Sequence, residues 1–217
     1  MTSRAAAPLV VFAAAASLAA CRIEKTPVAD ASQSATSVFV NDASFNPDAM
    51  VAADWDSRVV PTLRDRAGAY DAVAAAIAAD PAAAGGRFGF RGDGPAAPWL
   101  YAVRVEGTVT GANTESRAAT LTVTTDGGRT VTIQIGPVVR GTAIRDSLAF
   151  RPFSAFKNQV DYAQFGKALN IRANATALSK LPRDGIVGRR VEALGVFAGG
   201  EATPLLTPVE IRLEPKA

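Results

Sequence analysis

Three consecutive segments in the middle of the chain alternate apolar and polar residues with a period of two, and this pattern constrains the fold most. Each segment is rich in β-branched residues and has one apolar face, as a half-buried strand does. Residues 112–117 join the first two segments, and Asp126-Gly127-Gly128, a hairpin signal, joins the last two. The inward positions are Tyr101, Val103, Val105, Gly107 and Val109; Leu121 and Val123; and Val131, Ile133 and Ile135. The sequence therefore predicts a three-stranded antiparallel meander.

A helix and two further strands are predicted after the meander. Residues 154–181 carry buried-type side chains at helical spacing, and residues 191–197 and 205–213 have the pattern of strands. The order strand-strand-strand-helix-strand-strand is that of the OB-fold, a five-stranded, partly open antiparallel barrel. We expect the helix to plug one end of the barrel and Gly107 to let the first strand bend. The alternative with the same order is a twisted α+β sheet that does not close.

Two helices are predicted before the barrel. Asn46 is a candidate N-cap followed by Pro47 at the first helical position, and Pro61 predicts a kink or break. A second, Ala-rich helix spans residues 70–79 and stops at Asp80-Pro81, and the Gly and Pro residues from 85 to 98 predict a loop. We therefore expect an α+β fold in one globular domain, residues 47–217, with a helical part at 47–84 and an OB-like barrel at 99–213.

The only cysteine, Cys21, follows the small-residue run Leu18-Ala19-Ala20. Before it lie Arg4 and a short apolar stretch, the parts of a bacterial export signal that is too short to span a bilayer. An ordinary signal peptide with a chance cysteine is the alternative, but lipid attachment requires a thiol at this position. The sequence therefore predicts a lipoprotein signal peptide at residues 1–20 and a lipid anchor on Cys21.

Residues 21–46 are predicted to form a flexible tether, because their composition is mainly Ala, Ser, Thr and other polar residues. A coil of this length has a root-mean-square span of roughly 25–30 Å. The apolar run Val38-Phe39-Val40 either belongs to the tether or pairs with the domain as a strand. We expect the chain on the periplasmic side of a bacterial membrane, and Arg22, where aspartate commonly causes inner-membrane retention, favours the outer membrane.

The amino-acid composition excludes several kinds of catalytic site. The chain has no histidine and one cysteine, so Ser-His-Asp and Cys-His sites and thiolate or imidazole zinc sites cannot be built. Paired carboxylates or an oxygen-ligated Ca²⁺ or Mg²⁺ remain possible, but neither leaves a motif. Glu106 and Glu115 lie near a strand and turn, where a single carboxylate is most often solvated or capping. We therefore predict no catalytic residues, no metal, no cofactor and no enzymatic activity.

The charge balance also argues against nucleic acid as a partner. Lys and Arg number 23 against 20 Asp and Glu, and loss of Arg4 with the signal peptide reduces the small excess by one. A nucleic-acid-binding surface clusters Lys and Arg with aromatic side chains, and the sequence contains no such cluster.

Residues 134–150 contain the candidate binding site, at a predicted strand exit. Arg140 and Arg145 can present guanidinium groups to a carboxylate or phosphate, helped by backbone N–H groups near Gly141 and Thr142. Asp146 is the acidic member of this set. In the alternative interpretation, Arg145 pairs locally with Asp146 or with Asp161, and the glycines only turn the chain.

The chain resembles the predicted periplasmic lipoproteins grouped as domain of unknown function 2291. The resemblance covers nearly the whole mature chain and is most specific in the Gly136–Ser147 run. The matching features are Cys21 with its tether, Trp55-Asp56-Ser57, Val60-Pro61, Pro98-Trp99, Gly107-Thr108-Val109, Thr114-Glu115-Ser116-Arg117, the Gly136–Ser147 run, Asn158-Gln159, Asn170 and Thr207-Pro208-Val209. The resemblance implies a genetic neighbourhood of ribose-type sugar ABC importers, and hence an accessory role beside a solute-binding protein or permease. It implies no catalytic residues.

Three functions follow as expectations. The first is a non-enzymatic lipoprotein that binds a sugar-transport protein or its small-molecule substrate. The second is a carbohydrate-active enzyme that uses Asp or Glu carboxylates, which requires two acids about 5–10 Å apart across a cleft. The third is a structural envelope lipoprotein.

Overall fold

The structure is a computed structural model that describes residues 45–92, 97–201 and 203–215. The predicted signal peptide, Cys21 and the tether as far as residue 44, including residues 38–40, lie outside these ranges. No helix in the described ranges has the length and hydrophobicity needed to cross a bilayer.

Five strands form the barrel, in the α+β arrangement that the sequence predicts. They are β1 (Trp99–Asn113), β2 (Ala118–Thr125), β3 (Thr130–Pro137), β4 (Arg190–Ala198) and β5 (Leu205–Leu213). Their order is β1-β2-β3-β5-β4, and β4 pairs with β1 to close the ring. All these pairings are antiparallel except β3 with β5, which is parallel at Thr132–Leu205 and Ile133–Leu206. The OB-like barrel is therefore confirmed, and it is closed.

The first strand is long enough to pair along both edges. Residues 100–108 of β1 pair with β4, and residues 107–113 pair with β2, with a change of register between Val109 and Gly111. The two pairings overlap at Gly107 and Thr108, and a Cβ atom on Gly107 would overlap the Thr124 carbonyl oxygen. Glycine therefore permits the close backbone approach by which β1 passes from one partner to the other.

The inward-facing residues of all five strands form the interior core, and helix α3 (Tyr70–Ala79) covers one end of it. Tyr70 and Val73 of this helix are buried in the interior core. The Asp71 carboxylate accepts hydrogen bonds from the Thr125 hydroxyl (2.7 Å) and the Gly127 amide (3.2 Å), at the β2–β3 turn. The N-terminal part of the chain thus supplies the cap that we expected from the helix between β3 and β4.

That later helix, α6 (Gln159–Ala173), lies on the outside of the barrel. Its buried residues Phe165, Leu169 and Ala173 pack in a second core with the outward-facing side chains of β1, β4 and β5. Helices α1 (Pro47–Asp54) and α2 (Val60–Arg66) complete this layer. The prediction that the helix plugs the barrel was wrong, because its apolar stripe matches the outer sheet face rather than the interior.

The N-terminal helices follow the predicted positions with two differences. Asn46 caps α1 by accepting the Ala49 N–H at 2.9 Å, as predicted. The break expected at Pro61 is absorbed by a π-helical turn, Trp55–Val59, so helical backbone runs from α1 into α2. Asp80 ends α3 but also caps a short helix, α4 (Pro81–Phe88), where the sequence predicted a loop from residue 85.

Two more boundaries differ from the sequence-based ranges. Helix α6 begins only at Gln159, because the Asn158 side chain accepts the Asp161 N–H and caps it there, and a π-helical turn, Asn174–Leu178, follows it. A short helix α5 (Ala143–Asp146) and a 3₁₀ turn (Phe153–Ala155) lie between β3 and α6, and the short strands Gly68–Ala69 and Gly89–Arg91 pair with β1.

Gly107→Ala tests the crossover in β1. The added methyl group would overlap the Thr124 carbonyl, so we expect a loss of about 1–3 kcal/mol of unfolding free energy. Gly111→Ala in the same strand is the matched control, since its Cβ would meet Thr122 at an ordinary 3.5 Å. Urea unfolding of both variants measures the difference, and equal stability would contradict the proposed close approach.

Candidate functional site

The segment that the sequence singled out is held by a buried glutamine. The Gln134 side-chain carbonyl accepts the Arg140 N–H at 2.8 Å, and its amide donates to the Arg140 carbonyl at 3.0 Å and to the Thr207 hydroxyl at 2.8 Å. The Asn170 amide donates to the Gly141 carbonyl at 2.9 Å. The backbone of this loop is therefore fixed by Gln134 from β3 and by Asn170 from α6.

Arg145 is committed to contacts within the domain. Its Nε donates to Asp146 Oδ1 at 2.7 Å, and its guanidinium lies 3.9 Å from the centre of the Tyr162 ring. The Thr142 hydroxyl donates to the other Asp146 oxygen at 2.6 Å. Burial raises the pKa of Tyr162, and the neighbouring Arg145 opposes that rise. The structure thus shows the local Arg145–Asp146 pair that the alternative interpretation of this loop expected. The Arg145 guanidinium is directed at Asp146 and Tyr162 rather than towards an anion in solvent.

Arg140 differs from Arg145 because its side chain is exposed. Within the described ranges its guanidinium makes no hydrogen bond, ion pair or ring contact. Gly141 has a φ of +83°, which turns the chain after Arg140. Of the five predicted residues, Arg140 is the one whose charged group is exposed and has no partner in the described ranges. Anion binding at this loop stays a prediction.

The two arginines are expected to behave oppositely on substitution. Arg145→Ala removes a partner of Asp146 and the contact with Tyr162, and we expect it to cost about 1–3 kcal/mol of stability. Arg140→Ala should change stability by less than about 0.5 kcal/mol, as at other exposed positions. Thermal melts of the two single variants measure this contrast, and a large loss for Arg140→Ala would show a structural role that the geometry lacks.

A second candidate site is a groove of about 660 Å³ on the outer face of β1, β4 and β5. Helix α2 and both π-helical turns form its rim, with Trp55 and Asp56 from the first turn and Thr176 and Ala177 from the second. π-Helical turns are rare and are frequent at functional sites. The charged lining residues are Asp56, Arg64, Arg104, Glu106, Glu192, Glu210 and Arg212.

Most of these charges are paired. Arg64 binds Glu210 at 2.6 Å, and Arg212 binds Glu192 at 2.7 Å. Arg104 instead donates to the carbonyls of Ala67 and Arg64, which fixes the end of α2. The groove therefore holds guanidinium donors and carboxylate acceptors side by side, and most of them are fixed by their contacts with one another.

Two side chains in and beside the groove have polar atoms without a hydrogen-bond partner in the described residues. The exposed Glu106 carboxylate makes no hydrogen bond or ion pair with any described residue, and it lies opposite Glu192 in the β1–β4 register. Arg172 reaches Asp56 at 3.5 Å, but its buried Nε has no hydrogen-bond partner in the described part of the chain. Glu106, which lines the groove, therefore leaves a carboxylate free to accept hydrogen bonds there.

Sequence reasoning missed this groove. Its signal was the run of charges at outward positions of three strands, Arg104 and Glu106, Glu192, and Glu210 and Arg212. The strands are distant in sequence, so only their pairing shows that these charges share one face. In the described ranges, no group of three acidic or cysteine side chains is placed to hold a metal ion.

One solved structure supports the barrel fold. The chain is similar to an OB-fold protein of Thermotoga maritima, with a TM-score of 0.61 and 15% identity over 78% of this chain and 99% of that one. Two OBody proteins bound to hen egg-white lysozyme, at 15% and 16% identity, each match 54% of this chain and 83% and 96% of their own, with TM-scores of 0.28 and 0.27. The comparison with curated proteins gave no match.

The family comparison agrees with the sequence resemblance. The family described as predicted periplasmic lipoprotein (DUF2291) matches residues 11–212, nearly the whole chain. The chain therefore belongs to this family of predicted periplasmic lipoproteins.

Proposed function

We propose that the protein is a membrane-anchored, non-enzymatic binding module, attached through Cys21, whose groove holds a small polyhydroxylated ligand. The observation that carries the proposal is the groove itself, where Arg and Glu side chains from three strands meet two π-helical turns. Its volume of about 660 Å³ falls in the usual range for small-molecule sites, roughly 300–1,000 Å³.

A sugar fits this lining better than a simple ion does. Each hydroxyl group of a sugar both donates and accepts hydrogen bonds, and the groove offers guanidinium donors beside carboxylate acceptors. A site for a single anion or cation would carry an excess of one charge, whereas Arg64–Glu210 and Arg212–Glu192 are balanced pairs. This chemistry agrees with the sugar-importer neighbourhood that the resemblance implies.

The arrangement of carboxylates supports binding over hydrolysis. A glycoside hydrolase holds its two acids on opposite sides of the scissile bond, about 5–10 Å apart. Glu106 and Glu192 are instead direct neighbours on adjacent strands of one face, and Arg212 holds Glu192 in an ion pair. A substrate would lie over both acids rather than between them.

Association with a sugar ABC importer is part of the same proposal. An anchored module near a permease or solute-binding protein needs only a weak affinity, because the anchor raises the local concentration. Arg140, with its exposed guanidinium, is a candidate contact for such a partner. Purification of the lipidated protein from native membranes should recover an importer component, and recovery should fall for Arg140→Ala but not for Arg117→Ala, another exposed arginine in the β1–β2 turn.

Glu106→Gln tests the groove. Loss of a charge-assisted hydrogen bond to the ligand costs about 1.5–3 kcal/mol, so we expect sugar affinity to fall by roughly 10- to 150-fold. Stability should be unchanged or slightly higher, because the variant relieves repulsion with Glu192. Titration calorimetry against a panel of monosaccharides measures the affinity.

The matched control is Glu115→Gln, an exposed acid in the β1–β2 turn away from the groove. It should bind sugar as the unchanged protein does. Equal loss in both variants, or no sugar binding by the unchanged protein at millimolar concentration, would reject the groove as a sugar site.

Cys21→Ser tests the anchor. A hydroxyl cannot replace the thiol in lipid attachment, so the variant should lose its acyl chains and leave the membrane fraction or remain unprocessed. Ser17→Ala, in the same segment, should be lipidated normally. Mass spectrometry of the N-terminal peptide and membrane fractionation give the result, and an acylated Cys21→Ser protein would contradict the assignment. Arg22 supports an outer-membrane location, which separation of the two membranes checks.

A further inference from the structure

The described domain begins beside a cluster of aromatic side chains, here called the aromatic patch: Phe45, Phe153, Phe156 and Tyr162. Phe45 meets Phe156 at 6.1 Å between ring centres, Phe156 meets Tyr162 at 5.1 Å, and Tyr162 meets Phe153 at 5.4 Å. Phe156 also packs against the fully buried Phe165 of α6 at 5.2 Å. The aromatic patch therefore connects the outer core to the surface.

Phe153 is the solvent-facing end of the aromatic patch. Its side chain is 45% exposed, although burial of a large apolar side chain is favourable. It lies in the 3₁₀ turn Phe153–Ala155, whose other residues, Ser154 and Ala155, are also exposed. Lys157 is exposed two residues beyond that turn. An aromatic ring beside small polar groups and a lysine suits the interface between lipid headgroups and acyl chains.

The polypeptide that leads to the proposed anchor enters the domain at this same place. Residues 22–44 separate Cys21 from Phe45, and Phe45 is itself part of the aromatic patch. The flexible tether that the sequence predicts would allow many orientations of the domain, so a second contact is needed to select one. The surface nearest the root of the tether reaches the bilayer with the least extension of the chain.

We infer that the aromatic patch is a membrane-contacting surface, in which Phe153 inserts into the lipid interface and orients the domain. The inference rests on the proposed attachment through Cys21. The charged groups beside the aromatic patch are largely paired, as in Arg145–Asp146 and Arg151–Asp54, so contact depends on the apolar side chain more than on anionic lipid. A weak contact suffices, because the anchor keeps the domain at high local concentration near the bilayer.

The test uses the lipidated full chain in phosphatidylcholine vesicles, with and without phosphatidylglycerol. Acylation consumes the thiol of the sole cysteine, so Ser154→Cys introduces one free thiol beside Phe153 for an environment-sensitive fluorophore. The matched reporter is Val187→Cys, at another exposed apolar position (56%). The next residue, Gly188, donates a hydrogen bond to the Val109 carbonyl, so this reporter lies near the other end of β1. We expect blue-shifted emission and quenching by lipid-borne nitroxides at position 154 but not at 187, with little change on adding phosphatidylglycerol.

Phe153→Ser in the Ser154→Cys background should abolish both signals while the protein still floats with the vesicles. Equal signals at 154 and 187 in floating protein, or a shift at 154 without lipid quenching, would overturn the membrane contact and leave the anchor intact. The second of these results would indicate contact between protein copies. Protein that fails to float would overturn the anchor and, with it, this inference.

Discussion

The architecture depends on one strand that pairs along both of its edges. β1 bonds to β4 through residues 100–108 and to β2 through residues 107–113, and this double pairing turns a five-stranded sheet into a closed barrel. A strand with a side chain at position 107 would be held away from Thr124 at the crossover. Closure gives every barrel strand a neighbour on both sides, and it gives the barrel an inner and an outer face that can each support a core.

The outer face of β1, β4 and β5 is divided along its length, and this division creates the groove. Leu100, Ala102 and Val196 lie under the helices, whereas Arg104, Glu106 and Glu192 lie beyond them. If the helical layer covered the charged part, it would desolvate the ion pairs there. The desolvation penalty of a buried ion pair can exceed its Coulombic attraction. Helix α2 and the π-helical turns lie over the boundary between the apolar and the charged part of this sheet face. The groove forms at that boundary because the helices cover the apolar part only.

Element order and most strand positions could be predicted from the sequence, because alternation with a period of two is a local signal. The placement of α6 could not, since its apolar stripe fits either an open barrel end or an outer sheet face, and only competition with α3 decides between them. The short helix α4 could not be predicted, because Gly85 within it reads as a loop residue. Glycine is needed at this position because the Trp99 ring packs directly on the backbone. The strand exit after β3 could be predicted from its glycines, but whether Arg145 faces solvent or Tyr162 depends on how α6 packs, which the loop's own residues do not determine.

The groove and the aromatic patch both border the outer helical layer but have opposite chemistry, and this bears on how the proposed anchored module would work. The groove is lined by Arg64 from α2 and by charges from the sheet, whereas the patch is built from Phe45 before α1 and from residues around the start of α6. Aromatic packing at one site and ion pairing at the other do not compete for the same side chains. A domain oriented through Phe153, as we propose, would therefore contact the bilayer without using a side chain that lines the groove.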